Sequence, residues 1–317
     1  MTEFDLIRKY FTRPAPNALL GVGDDAALLK VSDDHVLAVS CDMLASGTHF
    51  FPDADPFMLG HKALAVNLSD MAAMGATPRW ATLAIALPDA DETWLERFSA
   101  GFFALAQQYG VELIGGDTTR GPLNLCVTIL GEVPAQQALR RSGAQIGDEV
   151  WVSGTLGDAA LALAHLQGRA ALSAGEFAAC ALALHQPQPR VALGLALRGI
   201  ASSAIDISDG LLADLGHILD ASHAAAEISL ALLPVSSVMR AYVTLPLGEQ
   251  CALSGGDDYE LCFTAPAVRH AGITGISARL ELPLACIGKV VAGRGCIVHD
   301  AAGNRLNPGN AGYEHFR

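Results

Sequence analysis

Gly21-Val22-Gly23-Asp24-Asp25-Ala26 is the stretch whose reading decides the fold. It matches the dinucleotide fingerprint G-x-G-x-x-A, in which glycines let the backbone approach a pyrophosphate seated on a helix N-terminus. Here two carboxylates stand where that anion would sit. Two like charges ~4 Å apart repel by about 4 kcal/mol at a surface-like dielectric. The stretch therefore takes a phosphate only with a cation between them, which makes it a candidate metal site. Taken alone, a plain Gly-Asp turn is the better account, because both residues are common turn formers. Its weight comes from recurrence.

Acidic residues return along the chain at the ends of apolar segments, most of them beside Gly, Ser or Thr. The alternating run from His35 to Cys41 predicts a strand that ends at Asp42. A loop with Ser46, Gly47, Thr48 and His49 follows. Asp55-Pro56 predicts a helix start, N-cap then N1, with the helix running to about Met74 and Gly75 closing it. Leu59, Ala63, Val66 and Asp70 share one face of that helix, so Asp70 either needs a buried partner or reaches water near the helix end. Strand 80–87, helix 91–109 and a short strand 111–114 run into Gly115-Gly116-Asp117-Thr118-Thr119. A further strand, 123–130, is followed by a Gln- and Arg-rich stretch, 132–147, that reads as a domain boundary.

The second half restarts the pattern. Strand 149–153 leads into Gly154-Thr155-Leu156-Gly157-Asp158, which resembles a phosphate loop only loosely. Pro187 and Pro189 separate two Ala/Leu-rich helices. Strand 202–205 ends in Asp206-Ile207-Ser208-Asp209-Gly210 before a helix to about Ser222. Ser254-Gly255-Gly256-Asp257-Asp258-Tyr259-Glu260 leads into strand 261–264. Loops after parallel or mixed strands gather at one sheet edge, where α/β proteins bind ligands. Carboxylates gathered in that way are tolerable only around cations. Oxygen donors without His or Cys pairs favour Mg²⁺ over zinc. Carboxylates with several Mg²⁺ suit a nucleoside triphosphate.

Composition narrows the class. The chain has 317 residues, 51% hydrophobic and 17% charged, enough for two α/β domains with sizeable cores. The formal charge is −13 and no Lys/Arg run occurs, which argues against nucleic acid as a partner. Seven cysteines without a C-x-x-C pair fit a reducing cytoplasm. The first ten residues lack the apolar core of a signal peptide, and the apolar stretches are broken by prolines, so no membrane span is expected. G-x-x-x-x-G-K-[S/T], H-R-D and D-F-G are missing, which excludes P-loop and protein-kinase-like enzymes.

The strings GVGDDAALL, SCDML with the downstream His49, KALAVNLSDMAAMGA, LIGGDTTRGPL, SAIDISDGL and LSGGDDYELCF occur in that order over nearly the whole chain. Together they resemble the thiamine-monophosphate kinase family, which belongs with aminoimidazole-ribotide synthetase and selenophosphate synthetase. The resemblance implies an α/β (α+β) fold of two aminoimidazole-ribotide synthetase-like domains, 1–140 binding ATP and Mg²⁺ and forming a homodimer, and 141–317. It implies a cytoplasmic phosphotransferase that uses ATP to convert thiamine monophosphate to thiamine diphosphate. Asp25, Ser40, Asp42, Asp70, Asp117 and Asp206 would bind Mg²⁺, with Asp209 on a further ion. Gly116, Asp117, Arg141 and Ser208 would contact ATP. His49, Asp257 and Tyr313 would contact thiamine phosphate. Asp42, Asp70, Asp117 and Arg141 would carry the transfer.

Two positions depart from the family pattern. Cys41 stands where the family usually has Thr; it still serves as a metal ligand if the contact runs through the backbone carbonyl. Asp257 stands where the family usually has Glu, keeping the charge with one methylene less reach. Another ATP-dependent synthetase of the superfamily is the alternative enzyme. A nucleotide-binding assembly protein without catalysis is the alternative from another class, and its mark would be eroded acidic positions.

Overall fold

A computed structural model of the chain describes residues 2–306 and 312–313. The chain divides into two units, Met1–Met71 with Ala76–Gln136, and Ala72–Gly75 with Gln137–Arg317.

The first unit opens with a short helix, α1 (Glu3–Leu6), which runs on as a π-helical turn, Ile7–Phe11. Thr2 and Asp5 form a capping box at its start. Then come β1 (His35–Ala45), α2 (Pro56–Ala73), β2 (Thr77–Leu87), α3 (Glu92–Tyr109), β3 (Glu112–Arg120) and β4 (Asn124–Pro134). The four strands form one sheet in the order β1-β4-β2-β3. β2 and β3 are parallel, as a crossover through α3 requires, and the other pairs are antiparallel.

Both long helices start where the sequence signals. Asp55 Oδ1 accepts from the Phe57 and Met58 amides at 2.9 and 3.1 Å, and Pro56 follows at the first helical position. Asp91 caps α3 through the Thr93 and Trp94 amides, and Gly110 closes it. The inward face of α3 carries Leu95, Phe98, Phe102 and Leu105, all buried at helical spacing. α2 and α3 meet backbone to backbone. A Cβ at Gly60 would lie 2.1 Å from the Phe98 carbonyl oxygen, and one at Gly101 would lie 1.9 Å from that of Phe57. Only glycine fits at either crossing point.

Two expectations are corrected here. Asp42 does not end its strand: β1 continues to Ala45, so Ser40, Cys41 and Asp42 lie inside it. Gly115–Thr119 is not a loop after a short strand but the body of β3. Eleven consecutive pairings from His35↔Pro134 to Ala45↔Asn124 hold β1 past the acidic residue. β3 is an edge strand, and its β-branched Thr118 and Thr119 favour extended backbone. Gly116 is obligatory there, since its φ is +150° and a Cβ would sit 1.9 Å from the Leu83 carbonyl.

The second unit carries β5 (Asp148–Ser153), α4 (Asp158–Leu166), α5 (Ala174–His185), α6 (Val191–Leu197), β6 (Ser203–Asp206), α7 (Leu211–Ser222) and β7 (Ala225–Ser229). It continues through α8 (Pro246–Ser254), β8 (Leu261–Pro266), α9 (His270–Leu280), β9 (Leu284–Val291) and β10 (Gly295–His299). Its six strands run β10-β7-β9-β5-β8-β6, parallel only between β10 and β7. Val150, Val152, Ile205, Leu215, Ile218 and Ile287 belong to one buried core beneath that sheet. Among the described residues, no helix is long and apolar enough to cross a membrane.

Candidate active site

In the first unit, the Gly21–Ala26 stretch and the edge strand β3 face one cavity of about 660 Å³, within the range of small-molecule sites. Asp24 and Asp25 line it from one side and Gly116, Asp117 and Thr118 from the other. The predicted ligands Asp25 and Asp117 are therefore brought together, with the predicted ATP contact Gly116 beside them. Leu113 and Ile114, which open the LIGGDTTRGPL string, also line it, but one part of the wall was not legible from motifs: Phe4, Ile7 and Phe11 of the N-terminal helix. Their spacing of three and four is a helix-face signal, but nothing in the sequence ties it to a site.

A second group lies where β1 passes α2. Ser40 Oγ donates to Asp70 Oδ2 at 2.6 Å, the partner that a half-buried carboxylate on an apolar helix face needs. The Asp42 amide donates to Asn67 Oδ1 at 3.2 Å, and Asn67 Nδ2 donates to the Ala63 carbonyl. Fully buried Asn67 thus ties β1 to α2, a role the AVNLSD string held without revealing it. Cys41 is exposed, with its Sγ 3.3 Å from Cys126 Sγ on β4. Burial, then Cys41 and Asp42, pushes the Cys126 thiol up to about 11. His49 sits in the turn after β1 and accepts the Ala45 amide at Nδ1, 3.0 Å.

In the second unit, three separate segments are knitted into one acidic surface. The pairing of β6 with β8 ends at Asp206↔Leu261, yet the two chains stay hydrogen-bonded beyond it. The Ile207 amide donates to the Glu260 carbonyl, Tyr259 to Ile207 and Asp257 to Ser208, at 2.8 to 2.9 Å. The Tyr313 amide donates to the Asp209 carbonyl at 3.1 Å. Asp206, Ser208, Asp209, Asp257 and Tyr313 are thereby placed together. Tyr313 is 52% exposed, so it is not a core aromatic. Asp257 and Tyr259 hold φ of +70° and +49°, left-handed backbone that non-glycine residues rarely adopt and that clusters at functional sites.

Three further acids hold this surface in shape, and motif reading passed over their roles. Asp214 Oδ2 accepts the consecutive amides of Ser208, Asp209 and Gly210 at 3.0 to 3.1 Å. Burial drives its carboxyl up to about 7 against those amides, with Asp209 adding like charge. Asp258 places both oxygens 3.0 Å from the Gly157 amide at the start of α4. The anion position of the Gly154–Asp158 turn is thus filled by the chain's own carboxylate, so the turn is not an open phosphate loop. Burial, then Glu260, Asp158 and Asp257, pushes Asp258 well above the ordinary carboxylate value, against the Gly157 amide. Glu260 takes the Ser153 hydroxyl and a two-pronged Arg190 guanidinium. Arg141 is exposed, and its carbonyl accepts from Ser222 Oγ at 3.3 Å.

The donor chemistry fits Mg²⁺, since the gathered side chains offer oxygen. Among the described residues, no three His, Cys, Asp or Glu side chains form a ready-made cage.

This fold and these acidic loops define a class. Residues 23–133 match the family model "AIR synthase related protein, N-terminal domain" and residues 145–301 match its C-terminal counterpart. The chain belongs to the AIR synthase-related family and, within it, to the thiamine-monophosphate kinases. It is 49% identical over 320 residues to the thiamine-monophosphate kinase of Escherichia coli K12, covering 99% of this chain and 98% of that one. Among solved structures, thiamine-monophosphate kinase from Stenotrophomonas maltophilia K279a matches with a TM-score of 0.85 and 51% identity over 92% of this chain and 93% of that one. AaThiL complexed with AMPPCP and TMP matches with a TM-score of 0.77 and 31% identity over 99% and 96%.

Proposed function

We infer that this chain is a thiamine-phosphate kinase. It transfers the γ-phosphoryl group of ATP to the phosphate of thiamine monophosphate, giving thiamine diphosphate and ADP. The observation that carries this reading is the full-length likeness to a kinase solved with AMPPCP and TMP, and the cavity between Asp24-Asp25 and Gly116-Asp117 supports it.

The acceptor is already an anionic phosphate near neutral pH, so it needs little help from a general base. The barrier is the approach of two polyanions. Phosphoryl transfer of this kind rests on positioning and charge neutralisation. Asp25, Ser40, Asp42, Asp70 and Asp117 of the first unit, and Asp206 and Asp209 of the second, are proposed to hold Mg²⁺, which when bound supplies the neutralising charge. For Cys41 the proposed ligand atom is the backbone carbonyl. Gly116 and Asp117 are assigned to ATP; Arg141 and Ser208 are proposed nucleotide contacts. His49, Asp257 and Tyr313 are proposed to contact thiamine phosphate, with the Tyr313 ring offering cation–π attraction to a thiazolium. Asp42, Asp70, Asp117 and Arg141 are the residues proposed to carry the transfer. Domain limits of 1–140 and 141–317, a homodimer and a cytoplasmic location complete the proposal.

The test is incubation with Mg·ATP and thiamine monophosphate, followed by chromatographic separation of the thiamine species, with free thiamine and a metal-free sample as controls. Diphosphate formed only from the monophosphate, and only with metal, is the expected result. No diphosphate from folded, ATP-binding protein would overturn the acceptor assignment.

A further inference from the structure

The cavity of the first unit has two chemistries. Asp24, Asp25 and Asp117 give it an acidic side, and Phe4, Ile7 and Phe11, with Glu3 beside Phe4, turn the N-terminal helix into it. The far end of this helix is anchored. Phe11 is buried and meets the Phe98 ring edge-on with centroids 6.5 Å apart, and Lys9 Nζ lies 2.7 Å from Glu92. Its first turn is fixed by the Thr2–Asp5 capping box. Phe4, on that first turn, is 72% exposed. An aromatic ring is thus held on a fixed element, against a cavity, without being packed by the protein. Thr118 also lines the cavity, and among the described residues β3 is the edge strand of its sheet there.

A ligand that satisfies both sides must carry negative charge for cations at the acids and a flat apolar group for the helix. A nucleoside triphosphate does both. We propose that the N-terminal helix is the base-recognising wall of the nucleotide site and that Phe4 stacks on the purine ring. This rests on the reading of the chain as an ATP-using enzyme. It adds a specificity residue that lies outside every acidic motif of the chain.

Stacking of a base on an aromatic side chain is worth roughly 1–3 kcal/mol by alanine substitution, which is about 5- to 150-fold in affinity. The experiment compares wild type, Phe4→Ala and Phe4→Trp by calorimetry, with Mg·ATP and with Mg·tripolyphosphate, a probe that has the charge but no base. Phe4→Ala is expected to weaken Mg·ATP at least about fivefold and to leave Mg·tripolyphosphate unchanged. Phe4→Trp is expected to restore ATP affinity, with its indole fluorescence quenched on binding. In turnover, the loss falls on KM for ATP rather than on KM for thiamine monophosphate. Equal weakening of both probes would mean that Phe4 only supports the cavity, and unchanged ATP binding would mean no stacking; either overturns the proposal. A chain that shows the ATP-selective loss but makes no thiamine diphosphate keeps the base wall and loses the acceptor. Turnover with Phe4→Ala unaffected does the reverse.

Discussion

Asp42 and His49 separate two accounts of catalysis. If transfer rests on charge neutralisation, Asp42→Asn lowers kcat by about 100-fold or more, the scale on which a lost electrostatic stabiliser acts. His49→Ala lowers kcat by less than about tenfold, because the acceptor phosphate needs no base. Steady-state kinetics with circular dichroism as a fold check decide it; a larger kcat loss in His49→Ala sinks the mechanism. Asp214 makes a separate prediction. Asp214→Leu strands three amides that now share one oxygen, and each buried unsatisfied amide costs about 1–3 kcal/mol. Denaturant unfolding is expected to show a loss of about 3 kcal/mol or more, and Asp214→Asn, which keeps an acceptor, a smaller one. The sequence displays the acids at 206, 209 and 257 because they sit in glycine- and serine-marked strings. It hides 214 because a carboxylate inside a helical pattern reads as solvated charge until the fold shows it pointing back at the loop.

At the scale of elements, the glycine crossing and Glu132 carry predictions. Gly60→Ala drives a methyl group into the Phe98 carbonyl, and overpacking of this kind costs about 1–3 kcal/mol. A thermal scan that shows no fall in Tm would mean that α2 and α3 are not in backbone contact. Glu132 on β4 accepts the Ser32 amide and hydroxyl and Arg79 Nε at 2.6, 3.0 and 3.1 Å. Burial alone would raise its carboxyl; Ser32 and Arg79 hold it below the usual 4.5. A depressed carboxylate stabilises the fold above its unfolded pKa and loses that contribution as pH falls through the folded value. The stability gap between wild type and Glu132→Gln is therefore widest near pH 7 and closes below about pH 4.5. Urea titrations at pH 7 and pH 4 measure it; a gap that widens in acid refutes it. Helix starts were legible because caps are local chemistry, as at Asp55 and Asp91. Strand ends at Asp42 and Ile114 were misread because pairing with a neighbouring strand extends β1 and β3 through polar residues and glycines.

At the scale of the whole molecule, the outer face of β1 carries the prediction. Along that strand Leu37, Val39 and Met43 are 38, 58 and 56% exposed, with Cys41 exposed between them. The neighbouring positions on β4, Thr128 and Cys126, are only half-buried. A row of apolar side chains on an edge strand is a ready-made association surface. A second copy that presents the same row would bury it symmetrically, as two-fold homodimers do. Val39→Glu with Met43→Glu puts four like charges into that contact, two from each copy. With the proposed homodimer, the wild type is expected to sediment as a dimer and the double variant as a monomer at the same concentration, and the variant's circular dichroism should be unchanged, because neither side chain packs in the core. A variant that remains dimeric would place the contact on another surface. A monomeric wild type would remove the homodimer altogether, and β1 would then keep its apolar row for a partner other than itself.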